Sequence, residues 1–141
     1  MSAKIDQFCN DLRDSLNGIE SRINQLKSNV SAAATENRAA VNAKLDKVKA
    51  DVEASKQKAQ AAKTRFDQQI EDKKSETEAK IEEWKANREI TKLEHRAERA
   101  EQYATDAIIL AAFSADEAEF AVLEAVAARL VSDEAAGAPQ G

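Results

Sequence analysis

Apolar residues recur every three or four positions along most of this chain, from Ile5 as far as Trp84. The stripe has 23 positions, of which 19 are apolar and four are polar (Asn37, Ser55, Lys73 and Thr77); it spans 79 residues in 22 steps of 3.59 residues on average. This spacing follows one face of a nearly straight α-helix, whereas a strict heptad repeat averages about 3.5. Gly18 does not interrupt the phase. The pattern predicts an all-α protein, with long amphipathic helices packed side by side over nearly all of residues 3–131.

Residues 72–78 are where the sequence predicts that one long helix ends and the next begins. Two lysines, the second of them Lys74, suit the C-terminal end of a helix dipole. Ser75 and Glu78 have the spacing of a capping box, in which each side chain satisfies a backbone donor of the other residue. We therefore expect a hairpin turn at Lys74, Ser75 and Glu78, with the two arms of the hairpin antiparallel.

Two other segments are open to a different interpretation. The stripe slips after Trp84, and Thr91 with Glu94 offers a second capping box, so a break near residues 86–91 is the alternative to the turn at Ser75.

Residues 31–40 are poor in large side chains and are compatible with a loop. We expect them to form an alanine-rich helix that accommodates bulky neighbours on the opposite arm.

The segment 104–131 is the most apolar part of the chain. Its large apolar residues cover about half of a helical wheel, which predicts contacts with at least two neighbouring helices. These residues are Ile108, Ile109, Phe113, Phe120, Val122, Leu123, Val126 and Leu130. Asp116 and Glu119 intrude into this arc, so we expect them to pair with a basic residue such as Arg38 or to lie at its edge. Residues 132–141 have no periodicity and are predicted to be a disordered tail.

A hairpin folded at Ser75 would place Phe66 opposite Trp84 and leave the first five turns of the N-terminal helix without a partner in the chain. Half of the apolar arc on the 104–131 helix would also remain uncovered. A contiguous apolar stripe in water marks an interface. We therefore predict a homodimer, assembled as a four-helix bundle. Its expected interface residues are Ile5, Phe8, Cys9, Leu12, Leu16, Ile108, Val122 and Val126.

Charge is distributed unevenly along the chain. The formal net charge is −5, and 33% of the residues are charged. Residues 102–141 contain one basic and seven acidic residues. Because phosphate binding needs a concentrated basic face, we expect no nucleic-acid partner. The longest uncharged apolar stretch, 107–115, is too short to span a bilayer, and the N-terminus lacks an apolar run, so a soluble cytoplasmic protein is expected.

Residue types that carry chemistry are few. His95 is the single histidine, and the residue three before it is Lys92, so the Glu-x-x-His pattern of carboxylate metal proteins is absent. The sequence also lacks a glycine-rich phosphate loop and a Cys/His cluster. Cys9 is expected to be a buried, reduced thiol, with a contact across a symmetric interface as the alternative. We expect no enzymatic activity, no cofactor and no metal.

Alanine-rich amphipathic helices with few aromatic residues give the chain a general resemblance to bacterial granule-coating phasins and to apolipoproteins. The resemblance lies in composition and periodicity and involves no motif. It implies an amphipathic coat on a lipid or polymer surface. The function that the sequence favours is a non-enzymatic coiled-coil scaffold or adaptor that acts through helix–helix contacts, because the most apolar helix has an acidic polar face and anionic membranes attract Lys and Arg.

Overall fold

The computed structural model describes residues 2–137 and contains no strand in that range. Its four helices are α1 (Ala3–Ala33), α2 (Arg38–Lys73), α3 (Glu78–Ala86) and α4 (Ile90–Ala135). The predicted all-α fold is confirmed. Residues 132–135, which were predicted to belong to a disordered tail, continue α4, and residues 138–141 lie outside the described part of the chain.

The helix α4 is the element on which the other three pack. On one side, Lys4 of α1 donates a hydrogen bond to Glu94, and Asn29 of α1 donates one to Glu119; both pairs are 90 residues apart. A constant separation means that α1 and α4 run parallel. The helix α1 therefore lies along α4 for most of its own length.

The helix α2 lies antiparallel to α4. The ion pair between Arg38 and Glu134 joins residues 96 positions apart, whereas the pair between Arg65 and Asp106 joins residues 41 positions apart. This falling separation is that of an antiparallel pair. The short helix α3 continues beside the first turns of α4, so the chain runs up in α1, down in α2 and α3, and up again in α4.

A turn at residues 34–37 separates α1 from α2, so the expectation of an alanine-rich helix across residues 31–40 is wrong. Asn37 is the N-cap of α2, and its side chain accepts a hydrogen bond from the Ala40 N–H at 2.9 Å. The Thr35 hydroxyl donates to the carbonyl of Ala32, the last turn of α1. The capping box is absent here because alanine occupies the position where Glu or Gln would signal a helix start.

Helix α2 ends at Lys73 and α3 begins at Glu78, within the range in which the turn was predicted. The sequence predicted Ser75 as the N-cap of the helix after the turn, and this prediction is wrong. The Ser75 hydroxyl donates to the Asp72 carbonyl at 2.8 Å and closes α2 instead. Thr77 is the N-cap of α3 and accepts from the Lys80 N–H at 3.2 Å. Lys74 is the C-cap of α2.

The alternative break is present as well, at residues 87–89. Arg88 has a φ of 52°, a left-handed conformation that a residue with a Cβ adopts at some cost. Glu89 precedes α4 and makes no side-chain capping bond. Thr91, the residue expected to cap this helix, lies inside its first turn. The helix breaks both near Ser75 and near residues 86–91, which the sequence analysis had treated as alternatives.

The register predicted for the hairpin is wrong. Phe66 stacks on Tyr103, with ring centroids 4.5 Å apart, and does not face Trp84. The Lys92 ammonium lies 6.0 Å from the centre of the Trp84 ring. The register differs because the residues after the turn form α3. The partners of α2 on α4 therefore lie more than a dozen residues farther along the chain than predicted.

Buried apolar side chains lie along the seam between α2 and α4. They are Val41, Val48, Ala59 and Ala62 of α2, and Leu123 of α4. All four α2 residues belong to the stripe that the sequence pattern predicted to face inward. Alanine at two of the four positions allows the helix backbones to approach closely, so large side chains of α4 fit against α2.

Candidate binding groove between α1 and α2

A groove separates α1 from α2, and α4 forms its floor. We call it the central groove. It consists of a polar cavity of about 620 Å³ and an apolar cavity of about 250 Å³. The two cavities adjoin, because Arg22, Ser55, Lys58 and Asp116 line both of them. The groove exists because α1 and α2 each pack on α4 and make few contacts with each other.

The floor of the polar half is a buried hydrogen-bonded pair. Asn29 of α1 and Glu119 of α4 are only 6% and 7% exposed. The Asn29 amide donates to a Glu119 carboxylate oxygen at 2.7 Å, and Gln25 donates to the Asn29 side-chain oxygen at 3.3 Å. A buried carboxylate needs such partners because it has lost its hydration. This pair fixes α1 against α4 in one register.

Asp116 lies one turn before Glu119 on the same floor. Its carboxylate is 3.7 Å from the Arg22 guanidinium. Burial raises the pKa of Asp116, and the positive charge of Arg22 lowers it in part. Burial likewise raises the pKa of Glu119, against the opposing hydrogen bond from Asn29. The prediction that Arg38 pairs with these acids is wrong, because Arg38 forms an ion pair with Glu134 near the end of α4.

Replacing Glu119 by glutamine should stabilise the protein at neutral pH. Because the pKa of Glu119 is raised in the folded state, the folded chain still holds a proton at a pH where the unfolded chain has lost it. The free energy of unfolding therefore falls as pH rises from about 4.3, the ordinary pKa of Glu, through the raised pKa of the folded state. Glu119→Gln keeps an oxygen that accepts from Asn29 and removes this loss. The gain should be smaller than the effect of truncating a buried leucine.

Urea unfolding at pH 4 and at pH 7 tests this expectation. The difference between Glu119→Gln and the original chain should be present at pH 7 and largely vanish at pH 4. Glu117→Gln is the matched control, because Glu117 is exposed on the same helix and should change stability little at either pH. A Glu119→Gln chain that is less stable at pH 7 would show that the carboxylate stabilises the fold.

Basic side chains line the walls of the polar half. Lys44 forms an ion pair with Glu36, so its charge is already compensated. Lys47 and Lys58 of α2 are exposed, and neither has a carboxylate within ion-pair distance in the described part of the chain. The acid Asp51 lies on the same wall. The walls of the polar half therefore contain Lys47, Lys58 and Asp51, none of them in an ion pair within the described part of the chain, and the positive charge of Lys47 acts on Glu119 at the floor.

The apolar half has walls and a floor of aliphatic and aromatic side chains. Its apolar lining comprises Ile19, Ala59, Ile108, Ile109, Ala112 and Phe113. Gly18 lies in the α1 wall, and a Cβ added there would meet no atom within 4 Å. The absence of a side chain at Gly18 therefore leaves open space in the groove. It does not serve a close approach between two backbones.

A second polar centre, between α2 and α4, is structural. Asp106 is fully buried. Its two carboxylate oxygens share the Arg65 Nε–H, each at 3.2 Å, and Arg65 Nη2 donates a second hydrogen bond at 2.9 Å. Gln102 donates to the same carboxylate at 3.0 Å. The burial of Asp106 was not predicted from the sequence, because it depends on the position of α2.

The residues predicted to form an interface are divided by the structure. Phe8 and Leu12 are half-buried on the α4 side of α1, and Ile108 lines the apolar half of the central groove. Val122 and Val126 are half-buried, whereas Ile5 and Leu16 are exposed. The premise that this stripe has no partner in the chain is wrong for Phe8 and Leu12, because the turn at residues 34–37 returns α1 to α4. Cys9 is exposed, so the expectation of a buried thiol is also wrong.

An apolar row remains on the surface of α1. Leu16, Ile23 and Val30 are seven residues apart and between 41% and 53% exposed. The neighbouring row faces α4 and is half-buried; it comprises Leu12, Ile19 and Leu26. Together the two rows have the alternating spacing of a coiled-coil seam. The helix α4 covers only one side of that seam.

His95 lies exposed on α4. Among residues 2–137, no group of three or more His, Cys, Asp or Glu side chains is arranged to hold a metal ion. None of the described helices is long and apolar enough to cross a membrane. No family model, curated protein or solved structure matches this chain.

Proposed function

We propose that this protein is a non-enzymatic helical scaffold that associates with a second copy of itself through α1. The observation that carries the proposal is the row of Leu16, Ile23 and Val30, which belongs to a coiled-coil seam that α4 covers on one side only. Full burial of one such side chain contributes about 1.5–3 kcal/mol, and these three are roughly half exposed. A second helix laid on the row would complete the seam.

Charges beside the row favour α1 of a second copy as that helix. Asp6, Arg13, Glu20 and Lys27 are seven residues apart, alternate in sign and are all exposed. None of the four is in an ion pair within the described part of the chain. In an antiparallel pair of α1 helices that crosses between Leu16 and Asn17, Asp6 lies opposite Lys27 and Arg13 lies opposite Glu20. Each of these four charged residues then lies opposite a residue of the opposite sign, and the two-fold symmetry of the dimer repeats each contact.

Sedimentation velocity with charge-reversal variants tests this arrangement. We expect the full chain to be a dimer at tens of micromolar. Arg13→Glu should raise the dimer Kd about tenfold or more, because two opposite-charge contacts become two like-charge contacts. Glu20→Arg should do the same. The double variant Arg13→Glu/Glu20→Arg restores opposite charges and should recover the original Kd.

Lys56→Glu, an exposed charge reversal on α2, is the matched control and should leave the Kd unchanged. A monomeric original chain would reject self-association as the function. A dimer that responds equally to Lys56→Glu and Arg13→Glu, or that the double variant fails to restore, would reject α1 as its interface.

The alternative function is an amphipathic coat on a lipid or polymer surface. The flank of the apolar row argues against anionic membranes, because Asp6, Arg13, Glu20 and Lys27 give it no excess of positive charge. Flotation with phosphatidylglycerol vesicles separates the two functions. Binding to vesicles that Leu16→Asp abolishes, by a chain that stays monomeric, would favour the coat. The exposed Cys9 thiol suits a reducing compartment, and a cytoplasmic location is part of the proposal.

A further inference from the structure

We propose that the central groove binds a single-chain anionic amphiphile, such as a fatty acid. The alkyl chain would lie in the apolar half and the carboxylate at the entrance to the polar half. This proposal is independent of self-association. Ser15 and Arg22 line the groove, whereas Leu16 and Ile23 form the exposed row, and a shift of one residue turns about 100° around a helix. Both surfaces can therefore be occupied at once.

The apolar half has the shape and lining that an alkyl chain requires. Ile19, Ile109 and Phe113 present apolar surface from two helices, and the space above Gly18 is open. The two cavities, of about 250 and 620 Å³, together fall in the range of sites that hold small organic ligands. A chain bound here would remove its methylenes from water, so a longer chain should bind more tightly than a shorter one.

The junction of the two halves supplies the cations for a carboxylate. Arg22 and Lys58 line both cavities, and Lys47 lies on the same wall within the polar half. Asp116 is already partnered by Arg22, and Glu119 by Asn29, so neither acid demands a cationic ligand. Of the charged side chains that line both halves, Arg22 and Lys58 are basic and Asp116 is acidic, so the junction has a net positive charge, which favours an anionic head group over a cationic one.

Isothermal titration calorimetry with decanoate, below its micelle-forming concentration, tests the proposal on the full chain. Two probes serve as ligand controls: butyrate has the same head and a shorter chain, and decyltrimethylammonium has the same chain and the opposite charge. Decanoate should bind at least about tenfold more tightly than either control. Equal binding of decyltrimethylammonium would overturn the assignment of an anionic head group, and equal binding of butyrate would overturn that of the alkyl chain.

Variants locate the ligand within the groove. Gly18→Leu fills the apolar half and removes a helix-weakening glycine, so it should abolish decanoate binding and keep the fold. Asn17→Leu, exposed and about 100° around α1 from Gly18, should leave binding unchanged. Lys58→Glu should weaken binding about tenfold, whereas Lys56→Glu should not. Ser15→Leu is a second filling variant for use if the circular dichroism of Gly18→Leu shows lost helix.

Decanoate binding that persists in Gly18→Leu and Ser15→Leu would place the ligand elsewhere, for example on the exposed row of α1, and would overturn the proposal. Repeating the titration on Arg13→Glu keeps this outcome separate from self-association. Undiminished binding by that variant supports a groove site within one chain. Binding lost together with the dimer would show that the site is built between two copies and would overturn the groove assignment.

Discussion

Truncating Leu123 to alanine should lower the free energy of unfolding by about 2–5 kcal/mol. Leu123 is 0% exposed and is the largest fully buried side chain of the described chain. Its removal leaves a cavity between α4 and α2 that rigid helices cannot fill by collapsing. Urea unfolding followed by circular dichroism at 222 nm measures the loss as a lower midpoint with an unchanged slope.

Val131→Ala is the matched control, because Val131 lies on the same helix and is largely exposed. Its effect should stay within about 0.5 kcal/mol. If Leu123→Ala were no more destabilising than Val131→Ala, the packing of α2 against α4 described above would be incorrect. A change in slope would instead indicate that the unfolding transition is no longer two-state.

Replacing Arg65 by methionine should lower the melting temperature by roughly 5–10 °C. The change leaves Asp106 fully buried with Gln102 as its remaining hydrogen-bond donor. An isolated buried carboxylate has lost its hydration without the compensating charge. Nearly half of the Arg65 side chain is exposed, so water partly replaces it, and the effect should lie below that of a fully buried pair.

The double variant Arg65→Met/Asp106→Leu provides the internal comparison. Apolar side chains of similar size remove both charges together, and replacing a buried pair in this way is often neutral or stabilising. We therefore expect the double variant to melt above Arg65→Met, as measured by differential scanning calorimetry. A double variant that melts lower than Arg65→Met would show that Asp106 stabilises the helix pair independently of Arg65.

Several features of this fold follow from local sequence pattern. The stripe of three- and four-residue steps places Val41, Val48, Ala59 and Ala62 on one face of α2, and all four are buried. The lysines and turn-forming residues at 72–78 predict a helix end, because capping and the helix dipole act within one or two turns. Both effects depend only on neighbours in sequence.

The path of α1 could not be obtained in the same way. A chain that continued as one helix through residues 34–37 would form an arm of about 105 Å from Ala3 to Lys73, against about 69 Å for α4. Its first turns would then lack a partner. The turn at Asn37 resolves this mismatch by returning α1 along α4, where Phe8 and Leu12 are half-buried. The short polar segment that makes the turn lacks the capping box that marks many helix starts.

The candidate sites divide in the same manner. The apolar row of α1 and its alternating charges can be found in the sequence, because both are regular repeats on one helix. The central groove cannot, since Arg22, Lys58 and Asp116 come from three helices and meet only because α1 and α2 stand apart on α4. Asp116 and Glu119 were recognisable as acids within an apolar arc, but their partners, Arg22 and Asn29, were not.

The sequence by itself determined that this protein is all-α, which faces of its long helices are apolar, and where one of its turns lies, because periodicity and capping are local properties. Tertiary structure decided the pairing of those faces. One apolar stripe can pack against many others at similar free energy, so the choice of α4 as the common partner of α1, α2 and α3 depends on long-range geometry. That choice buries Asp106 and Glu119, opens the central groove and leaves Leu16, Ile23 and Val30 exposed.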